Sequence, residues 1–243
     1  MILTSKNNPL VKETAALKEK KTRRELGLFL VEGSKMTAEC QKSGLEIERI
    51  FLSESYLGDL EGVRVSDEVF KYLSDEKTPQ GVLCRVKIPN RKLVPPTGSC
   101  LFLDGVADPG NMGAIIRTAN AAGYRQLYLA DCTDPYSPKS VRASMSGVFF
   151  TELFIGSRAE ILSVLGDTPL IAADMDGVNA FSYTPPEKFA LVIGNEANGI
   201  SDEVFARARD RVRIPMESTQ ESLNAAVSAG VLMYLMKKDQ FTK

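Results

Sequence analysis

Three stretches of this chain set small polar and charged side chains beside unbroken apolar sequence. Asp104–Gly123 (DGVADPGNMGAIIRTANAAG) places Asn111 and Arg117 at the head of a helical pattern, directly after the apolar run CLFLD. Leu191–Ser201 (LVIGNEANGIS) packs Asn195, Glu196 and Asn198 between glycines at the end of another apolar run. Arg213–Gly230 (RIPMESTQESLNAAVSAG) leaves a short strand end through Pro215, crosses the polar loop Glu217–Glu221, and opens an apolar helix on Ser222-Leu223-Asn224. A carboxylate, amides and a guanidinium are the groups that orient reactants and stabilise developing charge. Arg117 stands one helical turn after Gly113, so both share a face and the side chain points back toward the helix start. Read singly, each stretch has a plainer account. The first is a tight turn or a dinucleotide-binding turn, since Asp131 stands about 20 residues on at a strand end, although Gly110-x-x-Gly113 falls short of G-x-G-x-x-G. The second is a glycine-rich polar turn, and the third a helix cap, with Ser222 or Asn224 beside free backbone N–H groups.

Strands must deliver these loops. The first part alternates a basic amphipathic helix (9–25), a buried strand LFLV (28–31), a helix that Ser34 can cap, a strand IERIFL (47–52), a helix starting at Ser66-Asp67 and a strand QGVLCRV (80–86). The Pro-rich, basic segment that ends in Thr-Gly-Ser reads as a linker. The expected domains are 1–90 and 100–243, joined by 91–99. The second part repeats the pattern: strands at 100–104, 126–130, 170–173, 189–193 and 211–214, and helices at 111–122, 138–147, 201–209 and 222–237. Near-continuous apolar strands between helices predict an α/β fold with a parallel sheet covered on both faces. Ligands of such sheets sit beyond the carboxyl ends of the strands, where the three stretches begin.

The chain has 243 residues, a net charge of −1 and no histidine, which removes Ser-His-Asp, Cys-His and His-ligated metal chemistry. Residues 1–42 hold nine Lys/Arg against five Glu, leaving −5 on the remainder. A basic face of that kind suits an anionic partner or a solvated helix. Four cysteines without a C-x-x-C pair fit buried thiols in a reduced, cytoplasmic setting. No apolar run reaches membrane-spanning length, and neither a membrane nor a metal is expected.

Taken together, N-x-G-x-x-x-R-T-A, L-V-I-G-N-E-x-x-G-I-S, and I-P-M with S-L-N eight residues after its isoleucine resemble the three motifs of the SpoU-type RNA 2′-O-ribose methyltransferases of the SPOUT class. SKNNPLVK, GLFLVEG and TPQGVL resemble that family's N-terminal substrate-binding domain, which is similar to ribosomal protein L30e. The resemblance implies a small L30e-like α/β/α domain followed by a SPOUT domain with a C-terminal deep trefoil knot. It implies S-adenosylmethionine as cofactor, held by Ile193, Gly194, Ile214, Met216 and Leu223. RNA, ribosomal in preference to transfer RNA, is the implied substrate. Arg117 is the implied catalytic residue, gripping an RNA phosphate and stabilising the alkoxide. The phosphate or Glu196 accepts the proton, Asn111 and Asn224 orient ribose and cofactor, and Ser222 supports Arg117 or the backbone around it. RNA contacts are expected from Lys6, Lys12, Arg23 and Arg24, and from Lys139 and Arg142. A homodimer is implied, for which Leu223, Val227, Val231, Tyr234 and Leu235 offer a face that would equally serve as core. The chain departs from the family pattern at Pro79, Ala197 and Ala225-Ala226. A non-catalytic RNA-binding protein and a nicotinamide-dependent oxidoreductase are the alternatives.

Overall fold

The computed structural model describes residues 2–219 and 222–241. The chain forms two compact units: Met1–Asn90 with Asp134–Phe149, and Arg91–Thr133 with Phe150–Lys243.

The first unit runs α1 (Pro9–Ala16), α2 (Lys20–Leu26), β1 (Leu28–Glu32), α3 (Ser34–Ser43), β2 (Ile47–Ser53), β3 (Val63–Val65), α4 (Asp67–Leu73) and β4 (Val82–Lys87). Its sheet has the order β1-β4-β2-β3, with β4 antiparallel to both neighbours and β3 parallel to β2. Leu28, Leu30, Phe51 and Leu83 face α1 and α4, where Val11, Leu17, Val69 and Phe70 complete a core. The alternate positions face α3, whose Thr37 hydroxyl lies 3.2 Å from the Cys84 thiol. A strand buried on both faces reads as an unbroken apolar run, which explains LFLV. Burial also pushes the Cys84 thiol up to about 11, so it stays protonated and packs as a small hydrophobe.

The single helix expected over 9–25 is two. The chain breaks after Ala16, with turns bonding Leu17 N–H to Thr14 O and Glu19 N–H to Ala16 O. The break frees the carbonyls of Leu17 and Lys18, and Arg23 donates to both at 2.8 and 2.7 Å. Ser34 lies inside α3 and Gly33 takes the cap position, whereas Ser66 caps α4 as expected.

The second unit carries β5 (Cys100–Asp104), α5 (Pro109–Ala121) and β6 (Gln126–Ala130). The chain then enters the first unit for α6 (Pro138–Ser144) and returns through α7 (Gly147–Phe150). There follow β7 (Glu152–Ile155), α8 (Arg158–Leu165), β8 (Leu170–Asn179), β9 (Ala190–Ile193), α9 (Asp202–Phe205), β10 (Ala208–Arg213), α10 (Ala225–Met236) and α11 (Lys238–Phe241). The sheet is wholly parallel, in the order β10-β8-β9-β5-β6-β7. Phe102, Tyr128, Phe154 and Val192 pack with α8 on one face. On the other face α10 lies along α5, and the Tyr124 hydroxyl donates to Met233 O. Strand order reverses between β5 and β9, the place where such sheets open a crevice for ligands.

Candidate functional site

α5 starts at Pro109, ahead of the helix expected from 111, and Asp108 is its cap: its carboxylate accepts from Asn111 N–H at 2.9 Å. Asn111 falls in the first turn, so its side chain is free for other work. Its Nδ2 donates to Glu196 Oε1 at 2.8 Å, and its Oδ1 accepts from Asn224 Nδ2 at 2.9 Å. One amide thus ties together the loops after β5 and β9 and the start of α10. Glu196 accepts further bonds from the N–H groups of Ala107 (3.0 Å) and Asp108 (3.2 Å). Partial burial by itself would raise its pKa. The bonds from Asn111, from those two N–H groups and from its own N–H outweigh burial and hold it below the ordinary glutamate value. Asn224 is also the α10 cap, accepting from Ala226 and Val227 N–H at 2.9 and 3.2 Å.

The Glu196 loop is braced at both ends. Asn195 and Gly199 exchange backbone bonds of 2.8 and 3.0 Å. The Asn195 side chain accepts from Ala197 and Asn198 N–H and donates to Gly105 O at 2.8 Å. Gly194 has no room for a side chain, because a Cβ there would stand 2.3 Å from the Gly199 carbonyl carbon. The Ser201 N–H and hydroxyl both donate to Asp104 Oδ2, at 2.8 and 2.7 Å. Arg158 holds the other Asp104 oxygen at 2.6 Å and pairs also with Asp131. Asp131, the acid a dinucleotide site would need, is therefore already committed, and its backbone sits at φ 49°.

These loops wall a cleft of about 590 Å³. Ile193, Gly194, Ile214, Met216 and Leu223 line it, with Glu196, Ser222 and Asn224. Asn111 supports the wall through its two bonds. Gln220 and Glu221 of the expected loop lie outside the described residues. Ala173, Asp174 and Met175 are among the lining residues that sequence did not point to. β8 continues past Ala173, but Ala172 pairs with Arg211 and Val178 with Val212, so Ala173–Gly177 bulge out between adjacent rungs. The only sequence signal is Asp-Met-Asp-Gly after an apolar strand. Gly177 permits the bulge, since a Cβ there would come within 2.5 Å of the Arg211–Val212 backbone.

Arg117 is exposed on α5, outside the residues that line the cleft, and its side chain makes no hydrogen bond or ion pair among the described residues. The cations expected to meet RNA separate into classes. Arg23 is a correction: it is 3% exposed, donates to two carbonyls and pairs with Asp134 at 2.6 Å, so it holds the first unit together and cannot reach a phosphate. Lys6 pairs with Glu68, and Arg142 with Asp75 and Glu76, in exposed bridges that solvent competes with. Lys12, Arg24 and Lys139 are exposed. Among the described residues no helix is long and apolar enough to cross a membrane.

The SpoU rRNA Methylase family matches residues 98–234, and the MRM3-like substrate binding domain matches residues 8–84. The 23S rRNA (guanosine(2553)-2′-O)-methyltransferase RlmP of Bacillus subtilis is 31% identical over 97% of this chain and 98% of its own. An AdoMet-bound rRNA methyltransferase from Sinorhizobium meliloti superposes with a TM-score of 0.88 at 28% identity, covering 98% of each chain. A solved RNA 2′-O ribose methyltransferase is 30% identical with a TM-score of 0.85, over 99% of this chain and 100% of that one.

Proposed function

The chain belongs to the SpoU rRNA methylase family, and from that premise we propose that it methylates a ribose 2′-oxygen of RNA, ribosomal RNA in preference to transfer RNA, with S-adenosylmethionine as donor. The observation that carries this reading is the Glu196–Asn111–Asn224 chain, which joins three separate loops at the wall of one cleft.

The cleft fits the cofactor. Its volume of about 590 Å³ lies inside the usual range for small-ligand sites. Ile193, Ile214 and Leu223 give apolar walls for a base, and the backbone of the surrounding loops gives polar edges. Bound there, S-adenosylmethionine supplies a methyl group already activated on a sulfonium centre. What the protein must add is alignment and a route for the hydroxyl proton, and alignment alone is worth roughly 7–11 kcal/mol of barrier.

The Arg117 guanidinium, a planar cationic fork, grips the RNA phosphate and stabilises the developing alkoxide. Glu196 makes a poor proton acceptor, because its oxygens already take three donors and its pKa is depressed. Its task is to fix Asn111 and the loop after β5, and the proton passes to a phosphate oxygen of the RNA. Asn224 orients the start of α10 beside the cofactor, and Ser222 lines the cleft next to it.

The same reading includes the family's deep trefoil knot, to which the insertion of β9 between β5 and β8 is congenial. It also includes a cytoplasmic homodimer. α10 buries Ala229, Leu232, Met233 and Met236, while Leu223, Val227 and Tyr234 stay 37–53% exposed, so a second apolar face is left for a partner copy.

Calorimetric titration tests the cofactor. Binding of S-adenosylmethionine and not of NAD is expected. Binding of NAD alone would overturn the reading in favour of an oxidoreductase.

A further inference from the structure

We propose that Arg213 is a phosphate-contacting residue that admits the RNA backbone to the mouth of the cleft, an inference that rests on the methyltransferase reading. Among the described residues lining the cleft, Arg213 is the one cation, against the carboxylates of Asp174, Glu196 and Glu217. A polyanion that must place a ribose beside that wall meets repulsion unless a cation stands at the entrance.

The neighbouring arginine shows how a purely structural role would look. Arg211 lies two residues back on the same face of β10. Its guanidinium reaches Asp174 at 3.3 Å and lies 5.4 Å from the Phe205 ring centre, so its charge is answered. Arg213 makes no hydrogen bond or ion pair through its side chain among the described residues. Its backbone, in contrast, is fixed: it pairs with Asn179, and its carbonyl accepts from Ala180 N–H at 2.9 Å. A free guanidinium on an anchored strand end is preorganised for an incoming anion.

Position decides which anion. Ile193, Val212 and Leu232 are at most 3% exposed and form the floor, where the cofactor belongs. Arg213 is exposed at the rim, where a macromolecular substrate arrives. The ligand is therefore a phosphodiester of the RNA and not the cofactor's carboxylate.

The test compares wild type, Arg213→Ala and Arg213→Lys in binding to protein-free ribosomal RNA across a salt series, with S-adenosylmethionine titrated separately. The expected result is weaker RNA binding by Arg213→Ala. Its slope of log affinity against log salt should be shallower by about 0.7–0.9, the contribution of one phosphate contact. Arg213→Lys restores the slope, and cofactor affinity and melting temperature do not change. Loss of cofactor affinity with RNA binding intact would assign the guanidinium to the cofactor and overturn the proposal. So would unchanged binding of both. Failure of the wild type to bind S-adenosylmethionine would instead strike the methyltransferase reading itself.

Discussion

At Asn111 one side chain donates to Glu196 and accepts from Asn224, a task an aspartate performs only by half. Asn111→Asp would also set two carboxylates at hydrogen-bond distance, where joint ionisation is disfavoured. We expect Asn111→Asp to lose more methyl transfer at neutral pH than Asn111→Ala, and to regain part of it as the pH is lowered. Equal, pH-independent losses would show that the bond to Glu196 is idle. Glu196 itself gives a stability signature. Its folded pKa is depressed, so its contribution is fully present above the ordinary glutamate range and is lost as the pH falls through the folded value. The melting-temperature gap between wild type and Glu196→Gln should be flat through neutrality and close only in acid. A gap that widened in acid would reverse the sign. Arg117→Lys keeps the charge and removes the fork, and kcat should fall by tenfold or more, about 1.4 kcal/mol. Retention of nearly full rate would leave no role for bidentate contact. The sequence showed which residue types gather here but not whether Asp108 or Asn111 would cap α5. Asp108 and Asn111 are both good caps, and the partner that engages the Asn111 side chain is a glutamate 85 residues away. Arg23 misled for a similar reason: a lysine- and arginine-rich stretch reads as solvated until a helix break exposes carbonyls for it.

Among the elements, the loop from Gly194 to Ser201 depends on Asp104, which is 1% exposed and holds Ser201 and Arg158. Asp104→Ala leaves a Ser201 N–H without its acceptor and should cost about 1–3 kcal/mol. Hydrogen exchange should show the loss as faster exchange at Asn195, Gly199 and Ser201, with S-adenosylmethionine bound more weakly. Unaltered exchange in that loop would mean Asp104 is a local ion-pair site only. The strands themselves were legible, because burial on both faces writes them as unbroken apolar runs such as CLFLD and FALVI. The Ala173–Gly177 bulge was not. It exists because β8 skips between adjacent rungs of β10, and register is a property of two strands that one strand's sequence does not carry.

For the whole molecule, the parallel sheet and the placing of ligand loops at its carboxyl ends followed from alternating patterns and from the resemblance. The detour of residues 134–149 into the first unit did not. It rests on tertiary partners, including Tyr136 against Phe29 at 5.0 Å and Asp134 against Arg23. Assembly is testable at the same scale. Val227→Glu places a charge on the exposed apolar face of α10 and should shift a dimer toward monomer by light scattering, with the fold retained. A variant that stayed dimeric would put the contact elsewhere. The central claim is met most directly by incubating the purified chain with isotopically labelled S-adenosylmethionine and ribosomal RNA, then digesting the RNA to nucleosides for mass analysis. The account predicts label in a 2′-O-methylated nucleoside, abolished or strongly reduced in Arg117→Ala. Label on a base, or none with wild type that binds both cofactor and RNA, would contradict it.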